Sequence, residues 1–305
     1  MASTSSSAEI SVMTFNTWRA GNYVKDGLAK IAQHIRSQNP DIVFLQELTS
    51  ARVIKKLQRA LPEWNFVWKP YWKQVLGGTM VAVASKFQVV EIYNPVESNF
   101  WQLISGLNTY KQLIIGCRLA FKDSDTELDV WSVHLVPWPS SPHNILKLKH
   151  LPSSNEIQRH ERFRIQNVAN IVRYMKRIQP SETCIRPTII GGDFNSPSHL
   201  DWTPEMADMH NGMTANWPVS QVLQRNGFKD SYRQLYPDVR THPGITWSPV
   251  AKSDPQDRLD FIYYAGPGLT PLQAEITMGE NISTEWPSDH YALVTHFLVN
   301  LQGTK

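Results

Sequence analysis

The chain has 305 residues, 41% hydrophobic and 19% charged, a globular composition with room for a sizeable core that excludes a mostly disordered chain. Thirty Lys and Arg against 27 Asp and Glu give a net charge of +3, too mild for a strongly basic nucleic-acid or membrane module, and two cysteines cannot build a disulfide framework. No stretch approaches the roughly eighteen apolar residues of a membrane span, and residues 1–8 lack the basic start and apolar run of a secretory signal. Those eight residues read as a disordered tail before one domain over 9–301, with the cytoplasm, or else the nucleus, as the expected compartment.

In chain order, Ile10 to Phe15 alternates like a strand and Val24 to Ser37 carries a helical apolar stripe that Asn39-Pro40 stops. Ile42 to Leu45 is a continuous apolar run that suits a strand buried on both faces. Ala51 to Leu61 reads as a helix. Strands are expected at Phe66 to Trp68, Thr79 to Ala84, Gln88 to Tyr93, Leu113 to Phe121 and Leu128 to His134. A long amphipathic helix spans Glu156 to Ile178, Thr188 to Ile190 is a short buried strand, and Val219 to Asn226 is a helix. Strands at Phe261 to Tyr264 and Tyr291 to Val299 close the chain. The mixture suits an α+β sandwich of two sheets with helices outside. Two long polar segments, Val136 to Asn155 and Ser196 to Pro218, read as loops of functional length.

Six short segments set polar groups at strand ends: Phe15-Asn16-Thr17-Trp18, Gln46-Glu47, Ser132-Val133-His134, Gly192-Asp193-Phe194-Asn195, Arg258-Leu259-Asp260 and Ser288-Asp289-His290. Groups at strand ends gather on one rim, where ligands bind. Carboxylates with amides and no thiol suit a hard cation, Mg²⁺ or Mn²⁺, over zinc. Taken singly, each segment is also an ordinary turn, cap or core histidine. In this order, from residue 16 to residue 290, they resemble the endonuclease/exonuclease/phosphatase superfamily with its DNase I-like fold.

The resemblance implies a four-layer α/β/β/α sandwich of two mainly antiparallel sheets, and divalent-metal-dependent phosphoester hydrolysis. It implies that Asn16, Glu47 and Asp289 serve the metal, Glu47 foremost. It implies that Asp193 and Asn195 form the pair that orients or deprotonates the attacking water. His134 then contacts the phosphate, and His290, oriented by Asp260, meets the scissile group. An imidazole beside a buried aspartate favours its protonated form, while either Asp193 or His290 could take the water's proton. The substrate stays open among nucleic acid, nucleotide and other organophosphates, with a deadenylase-like RNA 3′-exonuclease and a phospholipid phosphodiesterase as branches. A non-catalytic binding module on the same fold is the contrasting class. Cleavage partners aside, a monomer is the default.

Other residues are weaker candidates. Arg159, Arg162, Arg164, Arg173, Lys176 and Arg177 on the long helix read as a solvated face, whereas Lys147, Lys149 and His150 make a better phosphate-side patch. His199 and Asp201 follow the Gly-Asp-Phe-Asn segment. Eleven tryptophans are an unusual number, and Trp138, Trp202, Trp247 and Trp286 lie close to the motifs, where a ring could stack on substrate. The mild charge and the aromatic rim together favour a modest organophosphate, or a few nucleotides, over long duplex DNA.

Overall fold

The structure is a computed structural model that describes residues 6–69, 80–93, 114–179, 186–250, 255–279 and 285–303. One sheet runs in the order β11 (Leu269–Thr277), β12 (Ala292–Leu301), β1 (Ser6–Asn16), β2 (Ile42–Leu48), β4 (Met80–Ser85), β3 (Asn65–Val67). The other runs β5 (Gln88–Tyr93), β6 (Ile114–Ala120), β7 (Glu127–His134), β8 (Thr188–Asp193), β10 (Asp260–Ala265), β9 (Lys229–Asp230). We call them sheet A and sheet B. Both are antiparallel except for one central parallel pair each, β1 with β2 and β7 with β8.

Alternation along each strand builds the layers. Val12 and Phe44 of sheet A meet Val130, Ile189 and Ile262 of sheet B in one core between the sheets. The intervening residues, Met13, Phe15, Val43 and Leu45, pack outward on α2 (Gly27–Gln38) and α3 (Ala51–Ala60). On the far side Trp131, Val133 and Ile190 pack on α5 (Ser154–Arg177) and α6 (Pro218–Arg225). Each large side chain buried this way contributes about 1.5–3 kcal/mol. A one-residue slip would turn a whole row outward, so the pattern fixes the register. β2 is buried on both faces, as its apolar run predicts.

The differences from expectation have physical causes. Residues 6–8 are strand, not tail: Ser6 pairs with Leu301 and Ala8 with Val299. β11 escapes the sequence pattern because it is an edge strand interrupted by Pro271, with a bulge between Pro271 and Gln273. The one-turn helix α7 (Ser231–Leu235) is too short for periodicity, and the Asp230 carboxylate caps it by accepting the Tyr232 and Arg233 amides. Inside the long segment after His134, the chain folds the short helix α4 (Ser141–Leu146), and a 3-10 turn occupies Pro204–His210. Trp72 and Trp101 lie outside the described residues. Among the described residues no helix is long and apolar enough to cross a membrane.

Candidate active site

The face that packs isoleucine and valine between the sheets changes chemistry where it reaches the rim. Continuing the inward rows, β1 ends in Asn16, β2 reaches Gln46, β7 ends in His134, β8 ends in Asp193 and β10 starts with Asp260. The parallel pairs point their C-termini to one end, and antiparallel β10 begins there. Topology therefore delivers these groups to one place.

On the sheet B side the delivery is regular. His134 is the register partner of Asp193, and Asp193 of Asp260, so the three side chains stand in one row on one face. The close β7–β8 pairing needs Gly192, where a Cβ would collide with the Val133 carbonyl. Asp193 is only 1% exposed. Its Oδ1 accepts the Asn195 amide at 2.8 Å, and its Oδ2 accepts the Asn195 side chain at 3.1 Å and the Asn16 side chain at 2.9 Å. Burial pushes the Asp193 carboxyl up to about 6, with His290 opposing the rise and Asp260 adding to it. His134 Nε2 lies 3.5 Å from Asp193 Oδ2 and 3.9 Å from Glu47 Oε1.

Asp260 and His290 form a dyad, Nδ1 to Oδ2 at 2.7 Å. The alternative of a local Asp260–Arg258 pair does not occur, because Arg258 turns to Asp201 and Asp230 at 2.8 and 2.7 Å. Burial disfavours a charged His290, but Asp260, Asp289 and Asp193 outweigh it and raise its proton affinity well above the ordinary histidine value. His290 Nε2 stands 3.8 Å from Asp193 Oδ2. The dyad's frame was invisible in the sequence. The Thr246 hydroxyl accepts the Leu259 and Asp260 amides, each at 3.0 Å, and its carbonyl accepts the Tyr291 amide. The Ser288 hydroxyl accepts the His290 amide and donates to the Asn16 carbonyl at 2.6 Å. Only the neighbouring motif residues hinted at either.

The sheet A side is irregular. Register pairs Asn16 with Gln46, not with Glu47. A bulge between Leu45 and Leu48 and a positive φ of 61° at Glu47 re-aim that side chain to the rim. Beside it lies the one-turn segment α1 (Trp18–Gly21), in which Trp18, Arg19, Ala20 and Gly21 all have positive φ. For each of the three non-glycine residues that conformation costs about 1–2 kcal/mol. The turn aims backbone amides at the site: Arg19 N–H donates to Glu47 Oε2 at 2.9 Å and Trp18 N–H to Asn16 Oδ1 at 3.1 Å. Gly21 and Gly27 approach so closely that a Cβ on either would strike the other's backbone.

Both ends of the Asn16 side chain are engaged. Its side-chain Oδ1 accepts from the Trp18 amide, and its NH₂ faces Asp193, Glu47 (3.4 Å) and His290 (3.4 Å).

Two donor sets suit a cation. Asp193, Asp260 and His290 have ligand-type atoms within 4.8 Å of one another. Glu47 and Asp289 are the more open pair, with side chains 22% and 23% exposed. Burial and then the Glu47 charge raise the Asp289 carboxyl, against the pull of His290 and a hydrogen bond from Trp247. Two partly exposed carboxylates near enough for one's charge to raise the other fit a hard divalent ion.

The tryptophans divide. Trp202 is 1% exposed, stacks on His210 at 4.0 Å and donates to Asp257, so it is core and cannot stack on substrate. Trp286 packs on Phe15 and His34 and donates to the His290 carbonyl at 2.7 Å, a strut under the dyad. Trp247 is half-buried against His143 of α4 and reaches Asp289. Trp138 is 74% exposed. Asp201 is taken up by Arg233 and Arg258, His199 by Ser220 and Gln224, and His150 by Glu156. Arg164, expected on a solvated face, is buried, pairs with Glu161 at 2.7 Å and donates to the Val136 and Pro139 carbonyls. It clamps the chain leaving His134 from behind.

The sequence model of the endonuclease/exonuclease/phosphatase family matches residues 13–290. An uncharacterized Caenorhabditis elegans protein, F14F9.5, is 30% identical over 316 residues, covering 96% of this chain and 92% of that protein. An endonuclease/exonuclease/phosphatase from Bacteroides vulgatus superposes with a TM-score of 0.63 at 17% identity, over 95% of this chain and 98% of that one. The human Nocturnin catalytic domain with bound sulfate anion gives 0.62 at 18%, over 96% and 97%. D. rerio TDP2 complexed with single strand DNA product gives 0.58 at 18%, over 95% and 99%. At these identities the solved structures show a shared fold.

Proposed function

The chain belongs to the endonuclease/exonuclease/phosphatase family and is a metal-dependent phosphoric ester hydrolase, and from that premise we propose that it cleaves a nucleotidyl phosphodiester with Asp193 as general base and His290 as donor to the phosphoryl oxygen. The observation that carries this reading is the His290–Asp260 pair at 2.7 Å with the Asp193 carboxylate 3.8 Å from the other ring nitrogen.

A histidine held in its protonated form donates a proton well and accepts one poorly, which assigns the water's proton to Asp193. Burial raises the proton affinity of the Asp193 carboxyl above the ordinary carboxylate value, the direction a general base working near neutral pH needs. The Asn16 and Asn195 amides fix the carboxylate's rotation by donating to Oδ2, and the Asn195 backbone holds Oδ1. His134, 3.5 Å from Asp193, would face the same phosphate as a second donor. Glu47, with Asp289 across from it, would hold Mg²⁺ or Mn²⁺, and the ion would neutralise phosphate charge and stabilise the leaving oxygen. The Asp193/Asp260/His290 set is less suited to ligation, because Asp260 Oδ2 and His290 Nδ1 already satisfy each other inside a dry pocket.

A nucleotidyl substrate is favoured over a lone phosphomonoester by the aromatic groups left facing outward, Trp138 and the half-buried Trp247. The D. rerio relative's single strand DNA product is in line with this. The test is hydrolysis of thymidine 5′-p-nitrophenyl phosphate with and without Mg²⁺ or Mn²⁺, using Asp193→Asn as blank and Glu47→Gln as metal probe. Metal-dependent release lost in the blank is expected, with the Glu47→Gln rate partly restored by more metal. Equal rates in wild type and blank would reject the assignment.

A further inference from the structure

Helix α3 leaves the rim immediately after Glu47 and runs back along the outside of sheet A. Its ten residues, ARVIKKLQRA, contain four cations and no acid. Ile54 and Leu57 are buried in the core, while Arg52, Lys55, Lys56 and Arg59 are all exposed. None of the four has an ion-pair or hydrogen-bond partner for its side chain among the described residues. A groove bounded by Ala20, Gly21, Asn22, Asp26 and Lys56 joins this face to α1, the turn whose Arg19 amide holds Glu47.

We propose that the exposed face of α3 is a track for the phosphate backbone of a single-stranded polynucleotide whose scissile phosphate lies at Glu47. The inference rests on the nucleotidyl reading above and extends it from the reacting ester to the strand that carries it. From Arg52 to Arg59 the cations climb about 10.5 Å along the helix axis. Cations spread over that length can meet successive phosphates of one strand in line. A single line of cations fits one strand better than a duplex, which also agrees with the mild +3 of the whole chain. A membrane surface fits poorly, because an interfacial helix puts its apolar face into lipid, and the apolar face of α3 is already in the core.

The experiment measures binding of a fluorescein-labelled 20-mer oligo(dT) to full-length protein carrying Asp193→Asn, against the same protein with Arg52→Gln, Lys55→Gln, Lys56→Gln and Arg59→Gln. Each phosphate contact on a single strand contributes about 0.7 to the slope of log K against log salt. Losing four should reduce the slope by about 2–3 and weaken binding at least roughly tenfold at low salt. With Asp193 intact, the four changes should leave thymidine 5′-p-nitrophenyl phosphate turnover within about twofold, since none touches the reacting groups. If the quadruple variant fails to fold, Lys55→Gln with Lys56→Gln alone should lower the slope by about 1.4. An unchanged slope, tighter binding of the duplex than of the single strand, or α3-dependent binding to phosphatidylserine vesicles in place of the oligonucleotide would overturn the proposal. Failure of the small-ester assay in wild type would instead reject the nucleotidyl reading, because the binding slope is measured without turnover.

Discussion

The two walls of the site are built on opposite principles. On the sheet B side, His134, Asp193 and Asp260 stand in one buried register row on three adjacent strands, with both carboxylates hydrogen-bonded. On the sheet A side the register would have offered Gln46, and a bulge with a left-handed backbone supplies Glu47 in its place. One wall is dry and regular and tunes protons. The other is wetter and strained and presents its more open carboxylates toward solvent. Proton affinity is set by excluding water, which regular packing does well, whereas a cation must exchange with water and needs ligands that solvent can reach. Strain on the cation side is offset by the amides that the left-handed turn turns on Glu47 and Asn16.

If this division of labour is right, the largest effects come from the dry wall and do not respond to metal. Asp193→Asn and His290→Ala should each lower kcat by about 10³–10⁴-fold with the fold retained, at any Mg²⁺ concentration. Circular dichroism and a metal titration of the hydrolysis rate check both halves. Glu47→Gln should show a smaller, metal-recoverable loss. Recovery of Asp193→Asn by excess metal would break the comparison, since both walls would then serve the ion.

Next in size is the support behind the dry wall. Arg164 and Glu161 form a buried pair, and the guanidinium also satisfies the Val136 and Pro139 carbonyls. Arg164→Met strands the Glu161 charge and both carbonyls, and should cost about 3–5 kcal/mol in urea unfolding. Arg164→Lys keeps the charge but not the fork, and should retain part of the stability while raising KM through the loosened segment that follows His134. A loss under about 1 kcal/mol for Arg164→Met would show that the pair lies in a more hydrated place than its burial indicates.

The same contrast explains what the sequence disclosed. Strand periodicity and the Gly-Asp-Phe-Asn, Ser-Asp-His and Leu-Asp segments made the dry wall legible, because register rows are written in alternation. Glu47 was legible as a motif residue but not as a bulge, because a positive φ at a glutamate leaves no compositional trace. Asn16 was legible as a motif residue, but not its hydrogen bonds, in which Oδ1 accepts the Trp18 amide and the NH₂ donates to Asp193. Arg164 looked like one more cation on a polar helix face, and only the fold shows what covers it. Trp202 and Trp286 lie close to motifs in sequence yet pack on other rings, since proximity along the chain says nothing about where a loop turns its side chains.

His34 tests the packing beneath Trp286, the strut under the dyad. Its ring is buried against Phe15 and Trp286, with Nε2 2.9 Å from Thr277 Oγ1, and burial lowers its pKa from 6.5 to about 4. The unfolded chain takes up this proton near pH 6.5 and the folded chain resists until about pH 4. The stability from neutral His34 is therefore complete above pH 6.5 and is lost progressively as pH falls to about 4, a total of about 3 kcal/mol. Asp257, which burial raises to about 7, shifts stability the opposite way, but equally in any His34 variant. His34→Gln keeps a hydrogen-bonding group for Thr277 without the titration. The difference between its urea midpoint and that of wild type should shrink, or reverse, between pH 7 and pH 5. Parallel pH profiles would show that the ring titrates freely and that Trp286 stands on softer ground than the packing implies.

The smallest effect belongs to the rim, where the walls meet substrate. Trp138 is exposed, yet its segment is fixed at both ends, by Asn195 donating to the Leu135 carbonyl and by Arg164 donating to Val136 and Pro139. A ring that buries little should contribute little to folding, so Trp138→Ala should change stability by less than about 0.5 kcal/mol. A ring held still for a base to stack on should contribute about 1–3 kcal/mol to binding. The expected signature is a KM for thymidine 5′-p-nitrophenyl phosphate raised about tenfold, with kcat nearly unchanged, because stacking is equal in ground and transition states. Loss of kcat without a change in KM would mean that Trp138 acts on the reacting groups through His134, and the rim would then belong to the dry wall.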